Sequence, residues 1–129
     1  VPLVVAVGEA TADALVAALV ADIARMRVGP GTDARCDMGP LITREHRDKV
    51  ASYIPMALAD GAEVVIDGRG VTPDGDENGF WLGPTLIDRV PTTSHVYLDE
   101  IFGPVLSVMR LLLQIGRATC RGCAWLSIR

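Results

Sequence analysis

Residues 3–7, Leu-Val-Val-Ala-Val, carry no charge and are bounded by Pro2 and Gly8; directly after them, apolar residues recur at a helical interval. This juxtaposition constrains the chain more than any other feature in it. A short apolar run closed by turn residues reads as a buried strand. Ala12, Leu15, Val16, Leu19, Val20, Ile23 and Met26 then share one face of an amphipathic helix over about 10–27. Asp13 near its start and Arg25 and Arg27 near its end suit the helix dipole. Gly29-Pro30-Gly31 stops it.

The same reading extends along the chain. Thr43 is a good N-cap for a second helix over about 44–60, with Val50, Ile54, Ala57 and Leu58 on its apolar face and Gly61 placed to terminate it. Pro55 falls inside that helix. An interior proline removes a backbone hydrogen bond at a cost of about 3 kcal/mol, so a kink is expected there. Glu63–Asp67 reads as a short strand and 68–79 as an exposed Gly/Asp/Pro loop. Phe80–Val90 is extended and interrupted at Gly83-Pro84, Pro91–Asp99 is polar and turn-like, and Pro104–Met109 is another buried strand. The order β-α-α-β-β-β, with apolar strands and long connections, predicts an α/β fold: a partial, largely parallel sheet flanked by helices.

Composition removes several function classes. The chain has 129 residues, enough for one small domain and too few for most cofactor-dependent enzymes. A formal net charge of −4 argues against a nucleic-acid partner. Half of the residues are hydrophobic, yet each apolar run is broken by a charge well short of the roughly 18 residues that span a membrane. No secretory leader is evident in the first residues, and the absence of an initiating Met points to a piece of a longer protein. Three cysteines make no disulfide framework and fit a reducing, cytoplasmic setting. Composition also breaks at residue 110. All 16 acidic residues lie at or before Glu100, so 1–110 carries a net of −7 and 111–129 a net of +3. Residues 1–110 are therefore expected to be one unit and 111–129 a non-native tail.

Several motifs carry little. Gly29-x-Gly31-x-x-Ala34 matches a dinucleotide fingerprint formally, but a helix precedes it where a strand is needed, and it reads as a helix stop. Ser94-His95 with Asp99 contains triad residue types without a nucleophile elbow and reads as a polar turn. Cys36 has no evident activating neighbour. Cys120-Gly-Arg-Cys123 has no second ligand pair, so no metal site is expected. Asp99-Glu100-Ile101-Phe102-Gly103-Pro104-Val105 says more. The Glu100 carboxylate is suited to the two vicinal hydroxyls of a ribose, and Phe102 to packing on a flat ring. The same residues also read as a helix-to-strand turn with a capping acid.

Glu100-Ile-Phe-Gly-Pro-Val105 resembles a motif of the aldehyde dehydrogenase superfamily. Met38-Gly-Pro-Leu-Ile42, Asp60-Gly-Ala62 and Gly79-Phe-Trp-Leu-Gly-Pro-Thr85 resemble other segments of that superfamily in the right order, so the resemblance covers about Val4 to Arg110. Ile66-Asp-Gly-Arg69, with its long loop and Glu77-Asn78-Gly79, is similar to the CoA-acylating methylmalonate-semialdehyde branch. The resemblance implies a fragment of a catalytic domain that works with NAD, a small aldehyde and coenzyme A. It implies a homo-oligomeric parent that oxidises the aldehyde through a cysteine thioester. Glu100 matches the glutamate at the nicotinamide ribose and Phe102 the aromatic at the nicotinamide, while Asp99, where the superfamily usually has Glu, takes no role. None of the three cysteines has the setting of the superfamily's nucleophile, so no catalytic residue is assigned and the chain alone is expected to be inactive. A hydrolytic aldehyde dehydrogenase, with water in place of CoA, is the alternative enzyme. A non-catalytic α/β interaction module is the alternative outside enzymes.

Overall fold

The computed structural model describes residues 2–73 and 78–111. Four strands, β1 (Leu3–Val7), β2 (Glu63–Ile66), β3 (Thr85–Asp88) and β4 (Val105–Leu111), form one sheet in the order β1-β4-β3-β2. β4 pairs in parallel with both β1 and β3, and β2 closes the sheet antiparallel to β3 with a register shift between Val64 and Ile66. This is the largely parallel sheet that the strand spacing predicts.

Helix α1 (Glu9–Ile23) covers one face of the sheet and α2 (Arg44–Ala59), with the short α3 (His95–Leu98), the other. Strand alternation explains the division, since successive side chains point to opposite faces. Ala6, Leu86 and Val108 meet Ala12 and the apolar stripe of α1. Ile87 and Val105 meet Val50, Tyr53 and Ala57 of α2 and Val96 of α3.

Three local departures from the sequence reading have identifiable causes. The α-helix α1 ends at Ile23, short of 27, because the amides of Arg25 and Met26 turn to the carbonyls three residues back, Asp22 and Ile23. The apolar period outlasts the α-helix because this tighter turn keeps Met26 on the same side. The extended stretch 80–90 gives a strand only over Thr85–Asp88. And the polar turn 91–99 contains α3, whose cap Ser94 accepts from the amide of Val96 at 3.2 Å.

Helix α2 follows the prediction closely. The Thr43 hydroxyl accepts from the amide of His46 at 3.1 Å, and the helix runs through Pro55 to Ala59 as one element. At its end Gly61 adopts φ 90°, the left-handed conformation that a side chain disfavours. The amides of Gly61 and Ala62 then return to the carbonyls of Leu58 and Ala57, closing the helix with a Schellman pair.

Opposite the loop of interest, Arg110 on β4 gathers the end of the sheet. Its guanidinium reaches Asp88 at 2.5 Å, Glu9 at 2.6 Å and Asp13 at 2.7 Å, and Arg89 adds a 3.0 Å contact to Glu9. Burial opposes ionisation of Asp88, but the Arg110 hydrogen bonds outweigh it and hold the carboxyl below its ordinary value. The composition break read at 110 therefore falls inside β4, which continues to Leu111. The remainder of the tail, with Cys120 and Cys123, lies outside the described residues.

Candidate cofactor-contact site

The loop from α3 into β4 is extended, so its side chains alternate. Ile101 turns inward and is 3% exposed, while Glu100 and Phe102 face outward and Phe102 is 68% exposed. Among the described residues the Glu100 carboxylate makes no hydrogen bond or ion pair. A carboxylate and an aromatic ring are thus offered two residues apart, about 7 Å along an extended chain, with nothing in the fold consuming either.

Helix α2 holds the loop from both sides. A Cβ on Gly103 would lie 2.7 Å from Val50 Cγ1 and 2.9 Å from Cγ2, so the loop backbone sits directly on the helix and only glycine fits. At the other end the Tyr53 hydroxyl donates to Asp99 at 3.1 Å. Burial, reinforced by that hydrogen bond and the Asp99 charge, keeps the phenol protonated above its ordinary range. Asp99, given no role from sequence, is therefore an anchor. One turn earlier on α2, His46 and Lys49 line a groove of about 120 Å³ together with Glu100 and Phe102. Sequence reasoning missed both. On the far side Glu100 also borders a depression of about 240 Å³ with Leu3 and Tyr97.

The weaker motifs resolve into structure. Ser94 donates to Asp60 at 2.8 Å while capping α3, and the amide of His95 also reaches Asp60, at 3.1 Å. The Ser94 hydrogen bond, then the His95 amide, hold Asp60 below its ordinary value. Asp99 is engaged by Tyr53, so Ser94, His95 and Asp99 form no triad. Gly29-x-Gly31 opens no helix. Its first glycine donates to Met38 at 2.9 Å, and Cys36 packs on it. Among the described residues no group of three or more His, Cys, Asp or Glu is placed to hold a metal.

The four segments that carry the family resemblance are the joints of this arrangement. Met38–Ile42 leads into α2, and the amide of Leu41 donates to Phe80 at 2.9 Å. Asp60-Gly61-Ala62 closes α2, Gly79–Thr85 leads into β3, and Glu100–Val105 leads into β4.

The aldehyde dehydrogenase family model matches residues 3–112, and the chain belongs to that family. The relatives it resembles narrow the branch. It is 50% identical over 107 residues to a malonate-semialdehyde dehydrogenase of Pseudomonas aeruginosa, covering 83% of this chain and 22% of that protein. The structure of a methylmalonate-semialdehyde dehydrogenase from Oceanimonas doudoroffii superposes with a TM-score of 0.83 at 46% identity, over 88% of this chain and 23% of that one. A putative methylmalonate-semialdehyde dehydrogenase from Sinorhizobium meliloti, crystallised with NAD, gives 0.82 at 43% identity, over 85% and 22%. The chain thus spans less than a quarter of the length of the relatives it matches.

Proposed function

We propose that this chain is the nicotinamide-side segment of the catalytic domain of an NAD-dependent semialdehyde dehydrogenase. The substrate class is malonate or methylmalonate semialdehyde, and coenzyme A takes the acyl group. The observation that carries the reading is the pairing of Glu100 with Phe102, unengaged and outward on a loop that α2 clamps at Gly103 and Asp99. The residues fit the cofactor: a free carboxylate suits two vicinal ribose hydroxyls, and an exposed ring two residues away suits a flat heterocycle. NAD would supply the hydride acceptor. Glu100 would bind and orient the ribose, Phe102 would limit the ring's position, and the His46 and Lys49 side chains would add hydrogen-bond donors along the groove wall. Acyl chemistry through a cysteine thioester requires a thiol from outside this chain's described site, since Cys36 is packed in the 28–38 loop.

The test is a chimera in which residues 3–111 replace the matching segment of the Pseudomonas aeruginosa relative. It is expected to form NADH from the semialdehyde with CoA, whereas the 129-residue chain alone forms none. Glu100→Gln in the chimera should weaken NAD binding and slow hydride transfer. A folded, active chimera indifferent to Glu100→Gln refutes the ribose assignment. NADH formed equally fast without CoA favours the hydrolytic alternative.

A further inference from the structure

We propose that Tyr53 is a positioning residue whose hydroxyl, acting through Asp99, holds the Glu100 carboxylate where the cofactor ribose is met. The inference rests on the ribose reading above and adds to it the group that keeps Glu100 in place. Glu100 lies between two residues that are themselves held. Before it, the Asp99 amide donates to the carbonyl of His95 at 2.9 Å, and the Asp99 carboxylate accepts from the Tyr53 hydroxyl at 3.1 Å. After it, Ile101 is buried at 3% exposure in the cluster that α2 forms with the sheet. The backbone is thereby held on both sides of Glu100, and the side-chain torsions are what the residue has left to adjust.

The place of Tyr53 on α2 makes this bond one of a series. Val50, Tyr53 and Asp60 are three and seven residues apart, about one and two helical turns, so they fall on one face. They meet the segment 94–103 in reverse order. Val50 lies under Gly103, Tyr53 reaches Asp99, and Asp60 accepts from the Ser94 hydroxyl at 2.8 Å and the His95 amide at 3.1 Å. The first and last of these contacts fix the two ends of the segment. The Tyr53 contact falls on the residue directly before Glu100, so it is the one that governs the direction in which Glu100 leaves the backbone.

The ring and the hydroxyl of Tyr53 do separable things. The residue is 7% exposed and its ring packs in the core with Val50 and Ala57. Its partner Asp99 is exposed, so a carboxylate released from the bond returns to water and leaves no buried group unpaired. Removing the hydroxyl alone therefore spares the core and frees rotation about the bonds that join Asp99 to Glu100. Burial, then the Asp99 hydrogen bond and charge, raise the phenol above its ordinary range, so the donor is present at neutral pH.

The experiment is a double-variant cycle in the chimera, read by NAD titration and single-turnover hydride transfer, with amide order parameters measured on the 129-residue chain. Tyr53→Phe is expected to weaken NAD binding by about 5-fold and to slow hydride transfer by about 10-fold or more. Asp99→Asn, which keeps an acceptor oxygen, should lose less. On a Glu100→Ala background Tyr53→Phe should cost nothing further, because no carboxylate remains to be positioned. In the chain alone, Tyr53→Phe should lower the order parameter of the Glu100 amide and leave the α2 amides and the urea midpoint near their parent values. If Glu100→Ala by itself changes neither NAD binding nor hydride transfer, the ribose reading fails and this inference with it. Where Glu100→Ala does weaken NAD, the positioning role alone is overturned by a parent-like Tyr53→Phe, or by a Tyr53→Phe loss of the same size with and without the Glu100 carboxylate. If the chimera fails to fold, the order parameter decides: a Glu100 amide equally rigid in parent and variant overturns the proposal.

Discussion

Gly103→Ala isolates the contact that holds the candidate site in place. The backbone at Gly103 lies outside the left-handed region, so alanine is conformationally acceptable and the effect is steric. The new methyl would sit 2.7 Å and 2.9 Å from the two Cγ atoms of Val50, against an ordinary carbon–carbon separation of about 3.5–4.0 Å. Val50 is 2% exposed and β-branched in the middle of α2, so it has no free rotamer to take. The loop and the helix must part by about 1 Å, and overpacking of this kind costs about 1–3 kcal/mol. Val50→Ala alone removes two methyl groups and opens a cavity, for a loss of roughly 1.5–3 kcal/mol. In the double variant the added methyl enters the space the valine vacates, so the losses should not add; the coupling should reach about 1 kcal/mol or more. Urea unfolding of the four chains measures it. In the chimera, the same 1 Å shift moves Glu100 and Phe102 and should lower the rate of hydride transfer by as much as about 100-fold, with recovery in the double variant. Strictly additive losses, or a Gly103→Ala chain as stable as the parent, would refute the clamp.

Ser94→Ala removes the α3 cap and the bond to Asp60, and should cost about 1 kcal/mol by the same unfolding assay. Arg110→Met leaves Asp88 buried without its main partner, so it should lower the unfolding midpoint at neutral pH. In the parent the Asp88 carboxyl is depressed, so its contribution is complete above its unfolded pKa and is lost as pH falls through the lower folded value. In the variant only the Arg89 amide and charge still oppose burial, so the Asp88 carboxyl should lose most of its depression and the gap between the two proteins should narrow on acidification; a gap constant from neutral to acid pH would exclude Asp88 as the source. Glu100→Gln in the chimera exchanges a charged hydrogen bond for a neutral one and should weaken NAD by roughly 10-fold or more, from about 1.5–3 kcal/mol for such bonds; titration by protein fluorescence reads it. Deleting residues 114–129, taken as foreign to the unit before them, should change stability by no more than about 0.5 kcal/mol, and a larger loss would give that segment a structural role.

Elements that announce both their ends were legible from the residues. α2 begins at a Thr43 cap and stops at Gly61, and both features perform as the residue types require. β1 and β4 are apolar runs with turn residues before them, and the structure pairs them in parallel. α3 was not legible as a helix, because His95–Leu98 is too short to show a period. Its only local signal was Ser94, which looks the same in a cap and in a turn. The Arg110 cluster was invisible for a different reason. Glu9, Asp13 and Asp88 are far from Arg110 in sequence, and only the parallel register of β4 with its neighbours assembles them.

The site shows the same boundary from the functional side. Glu100 and Phe102 stand out as candidates in the sequence because a carboxylate and an aromatic two residues apart on one segment form a pattern in themselves. His46 and Lys49 are polar residues on an amphipathic helix, and such residues look like a solvated face wherever they occur. Their place beside Glu100 follows from a contact about fifty positions away, Val50 against the backbone of Gly103. That contact puts the groove wall and the loop on one rigid body. Glu100 and Phe102 on the loop, and His46 and Lys49 on the helix, therefore keep their spacing only while position 103 and Val50 together leave the loop backbone room to sit on the helix. A residue with no functional group thus shares with the Tyr53–Asp99 hydrogen bond the task of fixing the geometry of the four others.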